Sequence, residues 1–280
     1  MRFRSLILLV VLAVVVGVGV ALWRGSGPLP DPEGCSAELA AHRVELTTEQ
    51  GENAALISAI GVSRGLPARA VSIALATAYQ ESKIRNLTHG DRDSLGLFQQ
   101  RPSQGWGTTA QVRDPYYAIN KFYDALEKID DYKSMRITEA AQKVQRSGYP
   151  EAYEDHAADA RALASVLTGY SPGGHFTCVV NEPTERGSAR RVMRKVERAY
   201  GDIDIARTGS RQDLAVALDA GESGERLGWS VAQFVVAYGA RLHPESVAYA
   251  DKRWRTGRDS EDGWAPGGKA DESTVQISMG

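Results

Sequence analysis

The chain has 280 residues, of which 42% are hydrophobic, 24% charged and 8% aromatic, and it carries a formal net charge of −2. That balance excludes disorder throughout, a collagen-like fibre and a multi-span membrane protein, and the length leaves room for two modest domains and a tail. Arg2, Arg4 and Arg24 crowd the N-terminus, so the rest of the chain is mildly acidic, which argues against nucleic acid as a partner.

In chain order, Arg2 and Arg4 precede an apolar run over residues 6–23, which ends at Arg24 and Gly25. As a helix this run spans about 27 Å, close to the roughly 30 Å of a hydrocarbon core. It is longer than the roughly 7–15 apolar residues of a signal peptide. The expectation is a single transmembrane helix over residues 1–24, a signal anchor with the N-terminus inside and the ectodomain outside, and the cytoplasmic membrane as partner. Gly19 and Ala21 have the spacing of a cleavage site, so secretion is the alternative. Residues 25–44, rich in Pro and Gly at their start, read as a linker.

Cys35 and Cys178 are the two cysteines, too far apart for a C-x-x-C redox motif or a zinc knuckle. In an oxidising exterior they can pair, for which the chain-entropy model gives about 4–5 kcal/mol. Two free buried thiols are the alternative.

Apolar periodicity predicts helices over 50–61, 67–82, 116–129, 138–145 and 151–167, without extended alternation between 45 and 168. Ser171-Pro172-Gly173-Gly174 breaks the pattern. Beyond Glu182-Pro183 the pattern predicts helices over 189–200 and 227–242, strands over 214–218, 246–255 and 274–279, and an exposed loop over 257–263. The predicted fold class is therefore mainly α: a helical domain at 45–180 after the transmembrane helix, then a small α+β domain at 181–280 that binds or spaces.

In the predicted helix 67–82, Val71, Ala74, Leu75, Ala78 and Ser82 share one side, and Glu81 falls on its flank. A half-buried carboxyl at a helix end has a raised pKa and suits a proton donor, although an ordinary surface glutamate leaves the same trace. The polar loop from Asn86 to Asp93 then leads into Ser94-Leu95-Gly96-Leu97-Phe98-Gln99. Gly96 permits close backbone approach, Leu97 and Phe98 anchor the segment, and Gln99 offers an amide to a sugar or a carboxylate. Gln104 is a further cleft candidate, and the Trp106 ring can stack on a sugar or cap the core.

Glu81-Ser82, a polar loop, then Gly96-Leu97-Phe98-Gln99 resembles the lysozyme-like superfamily. The likeness is greatest to the soluble lytic transglycosylase domains of anchored cell-wall proteins in Gram-positive bacteria. Asp114-Pro115 and the helix after it extend the likeness, which is tight from Glu81 to Asp114, coarse over 45–168 and absent beyond. The resemblance implies a lysozyme-like fold, peptidoglycan glycan strands as substrate, no cofactor, and a cleft lined by Ser82, Ser94, Gly96, Leu97, Phe98 and Gln99.

The implied activity is cleavage between N-acetylmuramic acid and N-acetylglucosamine. Glu81 protonates the linking oxygen, then takes the C6 hydroxyl proton, leaving a 1,6-anhydro end. A hydrolytic muramidase would need a second carboxylate, for which Asp91 and Asp93 are the candidates, with turn capping as their other role. The sequence departs from the family pattern at Asp93, where a glycine is usual, and at Phe98, where methionine is usual. The family's Ala-Tyr-Asn segment has no clear match, leaving Tyr149 or Tyr153 to supply its tyrosine. These departures keep a second class open, a non-catalytic wall-binding scaffold. None of the five histidines has a histidine four residues on, so no metal site is expected. No protein partner is legible.

Overall fold

The computed structural model describes residues 11–20, 31–147, 151–209, 213–267 and 272–280. It resolves into two units, residues 1–32 and 33–280. In the first, residues 11–20 form helix α1, with exposed side chains. Residues 1–10 and 21–30, which carry the rest of the predicted anchor, lie outside the described residues. Among the described residues no helix is long and apolar enough to cross a membrane. The expectation of a transmembrane helix over residues 1–24 is corrected to this extent: the described residues do not support it.

The second unit begins earlier than the linker reading allows. Strands β1 (Gly34–Leu39) and β2 (His42–Leu46) form a hairpin, with Leu39 opposite His42. Cys35, Ala37, Val44 and Leu46 point inward and polar neighbours point out, the period-2 pattern of a half-buried sheet. The turn is Ala40-Ala41, with Ala40 at φ 54. Alanine in a left-handed position carries none of the Asn-Gly or Gly signal that marks a hairpin in sequence. Strand β3 (Phe176–Val179) pairs with the other edge of β1 and places Cys178 opposite Cys35. The two are joined in a disulfide across 143 residues of sequence, the pairing expected of them.

Helix α2 (Thr48–Ser63) starts at a capping box between Thr47 and Gln50. Helix α3 (Ala68–Ser82) follows, and every residue from Ala70 to Ala78 is buried. The polar members of that run, Ser72 and Thr77, donate to the carbonyls of Ala68 and Ile73 four residues back, at 3.0 and 2.7 Å. A helix buried on all sides is a central element rather than a one-faced surface helix. Helices α4 (Thr109–Arg113), α5 (Pro115–Leu126), α6 (Ile137–Gln145) and α7 (Ala157–Leu167) complete the set, and α2, α5, α6 and α7 all pack on α3.

The later residues form α8 (Ala189–Tyr200), β4 (Ile205–Thr208), β5 (Asp213–Ala217), α9 (Glu222–Ala237), α10 (Gly239–Leu242), β6 (Ser246–Tyr249), β7 (Lys252–Arg255), β8 (Ala265–Pro266) and β9 (Thr274–Ser278). The strands make one antiparallel sheet in the order β4-β5-β9-β6-β7-β8. The single strand expected over 246–255 is two, folded back at Ala250 with φ 49. The expected exposed loop at 257–263 is a 3-10 turn, Gly257–Asp262, pinned by the fully buried Ser260.

The mainly α fold class is also corrected. Among the described residues helix accounts for 49% and strand for 17%, in two antiparallel sheets of three and six strands, an α+β architecture. Nor does the core divide near residue 180: α9 packs on α2, α7 and β3 as well as on β6 and β9. Gln233 makes that junction polar and specific. Fully buried, it accepts from Phe176 N at 3.0 Å and donates to Val166 O at 2.8 Å and Trp229 O at 3.1 Å, so all its bonding is internal.

Candidate active site

Glu81 is the penultimate residue of α3, where the fully buried helix comes to the surface, and its side chain is half-buried. The chain leaves the helix through two successive non-glycine residues in the left-handed region, Lys83 at φ 55 and Ile84 at φ 56. For a β-branched residue that conformation is strained and persists only when its surroundings enforce it. Two side chains from α2 do so: Gln50 donates to Lys83 O at 2.8 Å and Asn53 to Ile84 O at 2.9 Å. Burial of the Ile84 side chain adds a third restraint.

The Tyr153 hydroxyl donates to Glu81 Oε1 at 2.7 Å. Burial pushes the Glu81 carboxyl above the ordinary carboxylate range; hydrogen bonds from Tyr153 and Gln145 pull it partly back. Burial likewise raises the Tyr153 phenol, and the neighbouring carboxylate adds to that. Gln145, the last residue of α6, also donates to Phe98 O at 2.7 Å, so one side chain ties the acid to the loop that follows it. Beside Glu81, Tyr79 stacks on His156 with ring centroids 4.5 Å apart, and His156 Nε2 lies 3.0 Å from Gln80 Oε1. Burial, then the Lys83 charge, lowers the His156 pKa, which favours the neutral ring.

The residues expected to line a cleft divide into those that build the site and those that stand apart. Ser82 is buried; it donates to Leu97 O at 2.7 Å and accepts from Arg85 N at 3.2 Å. It therefore splices the helix end to the loop instead of facing a ligand. Leu97 and Phe98 are fully buried, Phe98 stacked on Phe122 at 4.5 Å, so both are core. Ser94 is buried, its N–H on Asp91 O at 3.0 Å. Gly96 sits at φ 77, where a Cβ would overlap the Val112 carbonyl oxygen, so the close approach expected of it is to protein backbone. Gln99, half-buried, donates to the carbonyls of His89 and Gly96 and closes the loop on itself. Gln104 is exposed and Trp106 packs half-buried at the core edge; among the described residues no hydrogen bond joins either to Glu81.

Asp93 is engaged on both oxygens: Arg101 Nε donates at 2.9 Å, Ser103 N at 2.8 Å and Ser103 Oγ at 3.0 Å. These bonds hold its carboxyl well below the usual range. Asp91 is exposed beside Arg92. Of the two tyrosine substitutes, Tyr149 lies outside the described residues and Tyr153 is the one on Glu81. Among the described residues no group of His, Cys, Asp and Glu is arranged to hold a metal. Gln145, Gln50 and Asn53 carried no sequence signal, because their work is done across elements; the tyrosine missing from the family segment was the one cue to Tyr153.

No protein-family model matches this chain, and no curated protein matches it.

Proposed function

We propose that this protein cleaves the glycan backbone of peptidoglycan outside the cytoplasm as a lytic transglycosylase, with Glu81 as general acid and then general base. One observation carries the reading: a half-buried carboxyl with a raised pKa, at a helix end just before a strained turn, accepts a 2.7 Å bond from a buried tyrosine. A raised pKa keeps the acid protonated nearer neutral pH, which the protonation of a leaving glycosidic oxygen requires. The departing oxygen takes the Glu81 proton. The substrate's acetamido group stabilises the sugar cation, and the Glu81 carboxylate then removes the C6 hydroxyl proton as that oxygen closes onto the anomeric carbon. Tyr153, by donating to the carboxyl, steadies the ionised form between the two transfers. A disulfide-bonded chain suits an oxidising, extracytoplasmic compartment.

The transglycosylase route needs one carboxyl group. It is favoured over hydrolysis because Asp93 is bound by Arg101 and Ser103, and Asp91 is exposed with a neighbouring arginine. The test is digestion of peptidoglycan by the purified, oxidised chain, with soluble products read by mass spectrometry beside Glu81→Gln. Products ending in 1,6-anhydromuramic acid, reduced about 10²–10⁴-fold in Glu81→Gln, are expected. Reducing muramic ends would make it a hydrolase. Wall binding without any soluble product would make it a scaffold.

A further inference from the structure

On β7 the Trp254 side chain is fully buried, its indole N–H on Cys178 O at 3.0 Å. By strand alternation Arg253 and Arg255 project from the opposite face, some 7 Å apart. There they line a cleft of about 260 Å³ with Asp259 and Asp262 from the 257–262 turn and Ala265 of β8. Among the described residues none of the four charges is in a salt bridge, and Arg253 Nε is buried without a hydrogen-bond partner.

Two buried side chains anchor the backbone segments that carry the acids and the bases. The basic strand is anchored through Trp254. The acidic turn is anchored through Ser260 Oγ, which donates to Gly257 O at 2.6 Å and accepts from Val180 N at 2.9 Å. Two guanidinium forks and two carboxylates held around a small space, neutral in sum but divided in sign, match a ligand divided the opposite way. Arginine forks take carboxylates, and aspartates take an ammonium group. The volume lies below the roughly 300–1,000 Å³ of pockets for drug-sized molecules, so the cleft suits an end group rather than a whole polymer.

We propose that this cleft binds the zwitterionic end of an α-amino acid, carboxylate on Arg253 and Arg255, ammonium on Asp259 and Asp262. None of its lining residues belongs to the Glu81 site, and the inference does not rest on glycan cleavage. The test is calorimetric titration of the purified full chain with glycine, with N-acetylglycine as carboxylate-only probe and glycinamide as ammonium-only probe. Glycine saturates, and each single-charge probe binds about tenfold more weakly or worse, since each forfeits one set of charge-assisted bonds. Arg255→Ala and Asp262→Asn each weaken glycine about tenfold with an unchanged melting temperature, whereas Glu81→Gln binds it as the parent does. Failure of glycine to saturate, equal binding of N-acetylglycine, or full binding by both cleft variants overturns the proposal.

Discussion

Replacing Tyr153 with phenylalanine tests the core of the site. The ring is fully buried and the substitution removes one oxygen, so packing is nearly unchanged and the loss is that of the 2.7 Å bond to Glu81. A bond to an ionised group is worth about 1.5–3 kcal/mol and a neutral one about 0.5–1.5 kcal/mol. At 2–4 °C per kcal/mol for a chain of this size, the melting temperature falls by roughly 3–12 °C with Glu81 ionised and by less with it protonated. The sign follows from Glu81 itself. Its folded pKa is raised by burial, so its contribution to stability is full below the unfolded pKa and is lost as pH rises through the folded value. Tyr153 opposes that rise, so its removal moves the folded pKa further up and makes the high-pH loss larger. The gap between parent and variant therefore opens with rising pH. Thermal and urea unfolding on both sides of the transition, with a double-mutant cycle against Glu81→Gln, reads it directly. A pH-independent gap, or a coupling under about 0.5 kcal/mol, would refute the assignment of this bond to an ionisable Glu81.

Gly96→Ala places a Cβ against the Val112 carbonyl at a left-handed φ of 77 and should cost about 2–4 kcal/mol in urea unfolding; a neutral result would mean the loop is not held as described. Asp93→Asn destabilises at neutral pH, because a depressed folded pKa contributes stability above the unfolded value and loses it as pH falls through the folded one. Unfolding followed from neutral pH into acid should show that gap closing. Reducing the Cys35–Cys178 bond removes up to about 5 kcal/mol by the loop-entropy model, readable as a shift in urea midpoint with and without reductant.

The helical half was legible because periodicity is local. The expected helices over 50–61, 67–82 and 138–145 fall within a few residues of α2, α3 and α6, where a capping box at Thr47 or an inward set of alanines writes the boundary into neighbouring residues. The β1–β2 hairpin was illegible because its turn is built from two alanines, one of them left-handed, and its first strand is stabilised by pairing with β3 some 140 residues on. The same cause hid the extent of the six-stranded sheet. Its two-residue strand β8 has no pattern of its own, and the bend at Ala250 carries no glycine.

Glu81 could be proposed from sequence through the resemblance carried by Glu81-Ser82 and Gly96-Leu97-Phe98-Gln99, since a glutamate at the end of an apolar helix is by itself ordinary. So could the partnership of two lone cysteines. What surrounds Glu81 could not. Tyr153 lies 72 residues on and reaches Oε1 because α7 and its preceding turn pack against α3. Gln145 meets Phe98 O across 47 residues, and Gln50 and Asn53 hold a turn more than 30 residues away. Local pattern determines where helices run and where a carboxyl comes to the surface. Burial, pKa and the identity of a hydrogen-bond partner belong to pairs of distant residues, and only packing brings those pairs together.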